Sequence, residues 1–207
     1  MSRLTWVLVV GLGLGLAGLI WLKRRAVPPT PVVVAPVEVP RGELNLVEGR
    51  LRRTGETQAF TGIMVEFYPG GGQRQSRSEV SNGVLHGVSE GWFTNGVMQV
   101  REPFVEGVAH GTRSKWHANG KLQSTAEIVS GKLHGTFRRW DESGALTEQM
   151  EMKNGVAHGL SRAWFPSGFL KAEVEMADGK PVKQTFWKEG EKPGEALKGD
   201  GGGTVPR

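Results

Sequence analysis

The chain is 207 residues long with 31 glycines, seven tryptophans and no cysteine, which excludes a disulfide framework, a thiolate metal site and a lipid anchor on cysteine. Its formal charge of +5 is uneven: residues 1 to 42 hold five basic and one acidic side chain, residues 43 to 190 eighteen and seventeen, and residues 191 to 207 three and three. The basic excess therefore lies near the N-terminus, and the near-neutral remainder lacks the clustered cations that a specific or general nucleic-acid binder needs.

In chain order, Leu4 to Leu22 is a run of 19 residues without a charge, which as a helix covers about 28 Å and matches a bilayer core. Trp6 and Trp21 sit near its ends, where indole rings favour the headgroup layer, and Lys23, Arg24 and Arg25 close it with a charged stop. Residues 1–25 are thus expected to be one N-terminal transmembrane helix, kept as an anchor. A cleaved signal peptide would have a shorter apolar region and a small-residue cleavage site before the basic cluster. The positive-inside rule puts the C-terminal part in the cytoplasm, whereas a proline-rich stalk also suits an exported domain, so a periplasmic placement stays open. Gly13, Gly15 and Gly18 form a GxGxxG match with none of the strand-turn-helix context of a dinucleotide site. Gly11, Gly15 and Gly18 share a helix face and offer a route to self-association, or simply reflect glycine tolerance in a spanning helix.

Residues 26–42 (AVPPTPVVVAPVEVPRG) carry five prolines and read as a stiff extended linker. Residues 191–207 lack apolar periodicity and read as a disordered tail.

Between them the sequence repeats. GVLHG at Gly83 is followed by GVAHG at Gly107, GKLHG at Gly131, GVAHG at Gly155 and a degraded GKPV at Gly179, each step being 24 residues. Trp92, Trp116, Trp140 and Trp164 keep the same period. An earlier copy, FTGIMVEFYPGG, is shifted by one residue, with Phe67 in the tryptophan register and Tyr68 beside it, and Phe186 and Trp187 mark a truncated last copy. A 24-residue unit fits two short strands and two turns. The turns show as Asn95-Gly96, Asn119-Gly120, Ser143-Gly144 and Ser167-Gly168 on one side, and Asn82-Gly83, Gly107, Ser130-Gly131, Asn154-Gly155 and Asp178-Gly179 on the other. Asn-Gly and Asp-Gly favour the positive φ of primed hairpin turns. In the strand between them, Met98, Leu122, Leu146 and Leu170 form one apolar column and Phe104, Ile128, Met152 and Met176 another at an even spacing, with polar residues between. This predicts one apolar and one wet face in an all-β, elongated antiparallel hairpin-repeat sheet over residues 43–190, each unit stabilised by its neighbours.

The combination of FTG, an aromatic pair, (N/S)G, an apolar column and GxxHG at this spacing resembles the bacterial MORN-repeat-variant proteins over about residues 44 to 190, including the lead-in LNLVEGRLRRTGETQAFTG. Tryptophan stands where tyrosine is common there, and the loop Gly70 to Arg77 is expanded. The resemblance implies a MORN-like sheet and carries two roles, an antitoxin component and a membrane-associated scaffold.

The repeated histidines His86, His110, His134 and His158 are the first candidates for chemistry. Equivalent residues two strands apart lie about 9.6 Å from one another, too far to share a zinc ion, which favours imidazoles packed at tight turns and bonded to backbone. Gly87-Val88-Ser89-Glu90-Gly91 matches GxSxG, but the other copies put Arg113, Phe137 and Ser161 in the Ser89 position and no helix follows. The tryptophans pack the sheet and can in part line a binding strip. No catalytic residue, cofactor or metal is therefore expected. The expected function is a membrane-tethered, non-catalytic scaffold whose repeat surface, including Tyr68 and the tryptophan and histidine rows, meets a protein partner. The alternatives are a toxin neutraliser and, less favoured, an envelope polysaccharide or lipid binder. The expected location is a bacterial inner membrane, crossed once.

Overall fold

The computed structural model describes residues 35–191. Within this compact unit, which begins at Pro36, the strands in chain order are β1 (Glu38–Pro40), β2 (Leu44–Val47), β3 (Arg50–Arg53), β4 (Gly62–Phe67), β5 (Arg74–Ser81), β6 (Val84–Trp92), β7 (Met98–Val105), β8 (Val108–Ala109), β9 (Gly111–Trp116), β10 (Leu122–Val129), β11 (Lys132–Trp140), β12 (Leu146–Lys153), β13 (Val156–Trp164), β14 (Leu170–Ala177) and β15 (Lys180–Phe186). From β4 onward each strand pairs with the next in an antiparallel meander, with β8 and β9 together acting as one interrupted strand beside β7.

Two parts of the expected fold need correction. The sheet is mixed rather than purely antiparallel, because β1 pairs in parallel with β4 through Glu38↔Ile63 and Pro40↔Val65. This strand lies inside the proline-rich stretch, where Pro40 ends it without costing a ladder donor on the inner side. The expected transmembrane helix falls on residues 1–25, outside the described residues. Among the described residues the only helical element is the single 3-10 turn Arg41–Glu43, and no helix is long and apolar enough to cross a membrane. The single-pass membrane location is accordingly withdrawn. The expected tail from 192 to 207 and the glycine face at Gly11, Gly15 and Gly18 also lie outside the described residues.

The units that begin at β6, β8, β11 and β13 each carry two bulges, and these explain the motifs. In the first strand of each unit three residues face one on the preceding strand: Val80 pairs with Leu85 and Ser78 with Ser89, so His86-Gly87-Val88 stands opposite Glu79. The same arrangement sets His134-Gly135-Thr136 opposite Glu127 and His158-Gly159-Leu160 opposite Glu151. The bulge glycines take φ of +104° at Gly87, +66° at Gly135 and +95° at Gly159, a region that L side chains enter at a cost. A Cβ on Gly87 or Gly135 would also collide with the carboxylate of Glu79 or Glu127. The recurrent HG dipeptide is thus the requirement of a bulge.

The second bulge corrects the expected single apolar face. Trp92 pairs with Met98 but Gly91 with Val100, so Gln99 is the extra residue and the side-chain alternation inverts there. The same shift occurs beside Trp116↔Leu122, Trp140↔Leu146 and Trp164↔Leu170. Met98, Leu122, Leu146 and Leu170 consequently share the face of the tryptophans, whereas Phe104, Ile128, Met152 and Met176 lie on the other, in the pairs Phe104↔Ala109, Ile128↔Leu133, Met152↔Ala157 and Met176↔Pro181. There are two apolar stripes, one per face.

Among the described residues, only the first units have a second layer. The hairpin of β2 and β3 and the segment ending at Phe60 fold over the face opposite the tryptophans, and Val39, Leu44, Leu51, Phe60 and Val80 form a buried cluster with Met64 and Leu85 against it. Backbone bonds fix this lid: the Leu51 N–H donates to Gly83, the Phe60 N–H to Leu51 and the Gly83 N–H to Phe60, all at 2.8 to 2.9 Å. In a repeat array such a cap closes the end that no neighbour covers.

Candidate interaction surface

The repeat offers two edges and two faces. Along one edge run the turns Asn82-Gly83, Glu106-Gly107, Ser130-Gly131, Asn154-Gly155 and Asp178-Gly179, with φ of +48° to +53° at the first residue and +77° to +90° at the glycine. Positive φ at both central residues makes these the primed hairpin turns expected from the sequence. Each turn glycine from Gly107 onward donates its N–H to a carbonyl of the preceding unit, to Leu85, Ala109, Leu133 or Ala157, at 2.7 to 2.9 Å.

The histidines belong to the same joint. The N–H of Glu106 donates to His86 Nδ1 at 3.4 Å, that of Ser130 to His110 Nδ1 at 3.5 Å and that of Asp178 to His158 Nδ1 at 3.4 Å. Asp178 Oδ1 also lies 3.3 Å from His158 Nδ1. In the first copy Thr61 takes the histidine's place, its hydroxyl accepting the Asn82 N–H at 2.9 Å. A hydroxyl and an imidazole share no catalytic chemistry, but both accept a hydrogen bond. His86, His110 and His158 are therefore side-chain acceptors for turn N–H groups, a contact not found at His134. Among the described residues no three metal-type side chains converge.

The opposite edge is a row of loops, 93–97, 117–121, 141–145 and 165–169. Here only the glycine is left-handed, at φ +82° for Gly96 and +84° for Gly120, and the Gly96 N–H returns to Phe93 at 2.9 Å. These are three-residue loops with a left-handed glycine rather than two-residue primed turns. They bond to one another from unit to unit. Asn95 donates to the Ala118 carbonyl at 2.8 Å, Asn119 to Glu142 at 2.9 Å, and the Tyr68 hydroxyl to Trp92 at 2.7 Å, while His117 Nε2 meets the Trp140 carbonyl at 2.9 Å. Tyr68 is thus a link between repeats. Its copy is out of step because the loop from Tyr68 to Gln73 holds one residue more than that from Phe93 to Val97. Asp141 accepts from Ser143 Oγ at 2.6 Å and from the Ala145 N–H at 3.0 Å, and these bonds hold its carboxyl below the ordinary range. Of the adjacent acids, Asp141 is accounted for by loop closure, and Glu142 contributes its backbone carbonyl to the bond from Asn119.

Ser89 lies within β6, just after the His86-Gly87-Val88 bulge, its hydroxyl buried and, among the described residues, without a hydrogen-bond partner. It has neither the sharp turn nor the base of a nucleophile elbow.

The faces remain. Trp92, Trp116, Trp140 and Trp164 are all half-buried, each packed across from Met98 or its equivalent leucine. On this face a groove of about 510 Å³ is lined by Val88, Glu90, Met98, Arg101, Pro103, Thr112, Ser114 and Trp116. Its polar wall is organised: Glu90 bridges Arg101 at 3.4 Å and Arg77 at 4.0 Å, and Arg77 also holds Glu79 at 3.0 Å. Burial pushes the Glu79 carboxyl up, but the hydrogen bonds from Arg77 and the Val88 N–H, with the charges of Arg77 and Arg101, outweigh it and leave it below its ordinary value. The opposite face holds a groove of about 350 Å³ whose lining includes Tyr68, Leu85, Ser89, Val100, Glu102 and Phe104. Sequence reading found the tryptophans. Glu90 stands on the tryptophan face by simple alternation with Trp92, whereas Arg101 and Pro103 join it only through the bulge at Gln99, which leaves no mark on the repeat period.

The MORN repeat variant family model matches residues 109–128 and 133–154, a match that supports a MORN-repeat protein. No curated protein matches the sequence. Among solved structures, a crystal structure of an S. aureus TarM mutant in complex with Fondaparinux, alpha-GlcNAc-glycerol and UDP is 13% identical with a TM-score of 0.31, and covers 47% of this chain and 19% of that one. A crystal structure of TarM is 14% identical with the same TM-score and coverage. The chain thus spans about a fifth of the TarM chains, and at that score the likeness carries no argument.

Proposed function

We propose that the MORN-variant repeats form a non-catalytic scaffold whose tryptophan face binds a protein partner. The supporting observation is the groove at Met98 and Trp116, where apolar side chains stand beside the Glu90–Arg101 pair and the backbone on both sides is fixed by repeat-to-repeat hydrogen bonds. A half-buried aromatic beside an arginine is the composition of an interface anchor. Three of the four repeated histidines and Asp141 are engaged in turn and loop closure, so binding rather than bond-making is the reading that uses the surface.

The test is affinity capture with the full chain, comparing the native protein with Met98→Ser and Trp116→Ser variants checked for an unchanged far-UV spectrum. Native protein should recover a defined partner, and each variant at least about tenfold less of it, the cost of losing one anchor contact. Equal recovery by native protein and variants, or no partner above a control with shuffled repeats, would remove the proposal.

A further inference from the structure

We propose that two copies of this chain join edge to edge through β15, around a twofold axis at Thr185, so that the sheet continues from one copy into the other. This is independent of what binds the tryptophan face.

The two ends of the sheet are treated differently by the sequence. The N-terminal end is closed by β1, three residues long and terminated by Pro40, and by the lid of β2 and β3. At the other end, among the described residues, no strand pairs with the outer side of β15. An open edge presents unpaired N–H and C=O groups and is a template for another strand. The apolar side chains there are among the most exposed of the described residues, with Phe186 at 64% and Val182 at 61%.

The register decides the occupant. The Trp187 N–H donates to the Lys171 carbonyl at 3.0 Å, and Thr185 pairs with Glu173 on β14. Alternation along an antiparallel strand then turns the N–H and C=O of Gln184 and Phe186 outward. With a twofold axis at Thr185, Gln184 of one copy lies opposite Phe186 of the other, and the outward groups form four backbone hydrogen bonds. Thr185 faces its own counterpart, a favourable cross-strand pair. Lys183 falls opposite the ring of Trp187, which suits a cation–π contact, and no two lysines oppose one another. Pro181 and Lys180, residues that usually protect an edge, lie outside the paired stretch. β1 of another copy is too short to compete. Four bonds and two lysine–tryptophan contacts in all make this a weak, concentration-dependent dimer.

The chain has no cysteine, so a single introduced thiol reports on the axis alone. Directly opposed residues whose groups point to their own sheet lie about 4.5 Å apart at Cα, within disulfide reach. Full-length Thr185→Cys, oxidised with diamide, should give a covalent dimer, whereas Thr94→Cys in an exposed loop should give at least about tenfold less. Adding Gln184→Pro removes an outward donor while sparing the ladder to β14, and should abolish the cross-link. Gln184→Ala should restore it. In native protein, amide exchange at Gln184 and Phe186 should slow as concentration rises, by more than at any amide of β10 to β12. Equal cross-linking at positions 185 and 94, a cross-link that survives Gln184→Pro, or concentration-independent exchange at Gln184 would each overturn the proposal. The first and last of these are also expected if a strand from a different protein occupies the edge.

Discussion

At the level of single residues the repeat is governed by where the backbone needs an acceptor and where it needs space. Gly135 must be glycine for its φ of +66°, whereas the Glu127 carboxylate that occupies the place of a Cβ is the end of a flexible side chain and can move aside. Gly135→Ala should therefore lower stability by about 1 to 3 kcal/mol, mostly conformational, and adding Glu127→Ala should return only the small steric part. A double-mutant cycle by urea denaturation separates the two. His110 accepts the Ser130 N–H, so His110→Ala should cost about 1 kcal/mol. His110→Thr should cost less, since Thr61 already makes this bond in the first copy; equal losses for the two would show that ring packing matters more than acceptance. Glu79 gives the pH dependence. Its folded carboxyl lies below the ordinary value near 4.5, so its contribution is complete above that pH and is lost as the pH falls through the lower folded value. Because the side chain is 39% exposed, solvent screens much of the effect. Thermal melts from pH 6 down to 3 should show Glu79→Gln with a shallower acid decline than native protein.

At the level of elements the sequence disclosed the strands and turns but not the bulges, the lid or the parallel strand, and each omission has a physical cause. The 24-residue period and the Asn-Gly steps fix turn positions because φ constraints are local. A bulge is a relation between two strands, so the inversion at Gln99 cannot be seen in β7 by itself, and a two-residue count wrongly joins Met98 to Phe104. The lid is carried by LNLVEGRLRRTGETQAF, whose apolar residues Leu44, Leu51 and Phe60 follow no repeat and meet only in the fold. β1 reads as polyproline from its neighbours, and becomes a strand because Val39, fully buried, packs over the first unit. The lid supplies the described buried cluster, which gives it a testable weight. Leu51→Ala should destabilise the chain by about 2 to 4 kcal/mol, the cost of a cavity in a well-packed site, and should raise amide exchange first in β4 to β6. Uniform loss across all strands would mean that the lid holds the array as one cooperative unit rather than closing its end.

At the level of the whole repeat domain the difference between its ends sets the order of unfolding. Each hairpin is stabilised mainly by the units on either side, through sheet pairing, turn-to-strand bonds and loop-to-loop bonds that recur with the period. The first units gain a second layer. The last strand pairs on one side only, and all its residues but Thr185 are exposed. It has also lost the HG bulge: Met176 pairs with Pro181 and Glu175 with Lys183, leaving Val182 alone as the extra residue. No histidine then stands in that unit to accept a turn N–H. Opening should begin at β15 and β14 and move toward the lid. Native-state hydrogen exchange in low denaturant should show the smallest opening free energies for Thr185 and Lys183, rising through β12 and β10 and reaching the global value near Val80. A gradient running the other way, or the same opening energy for every strand, would remove this account. Either result would place the stabilising weight in the repeat interfaces alone.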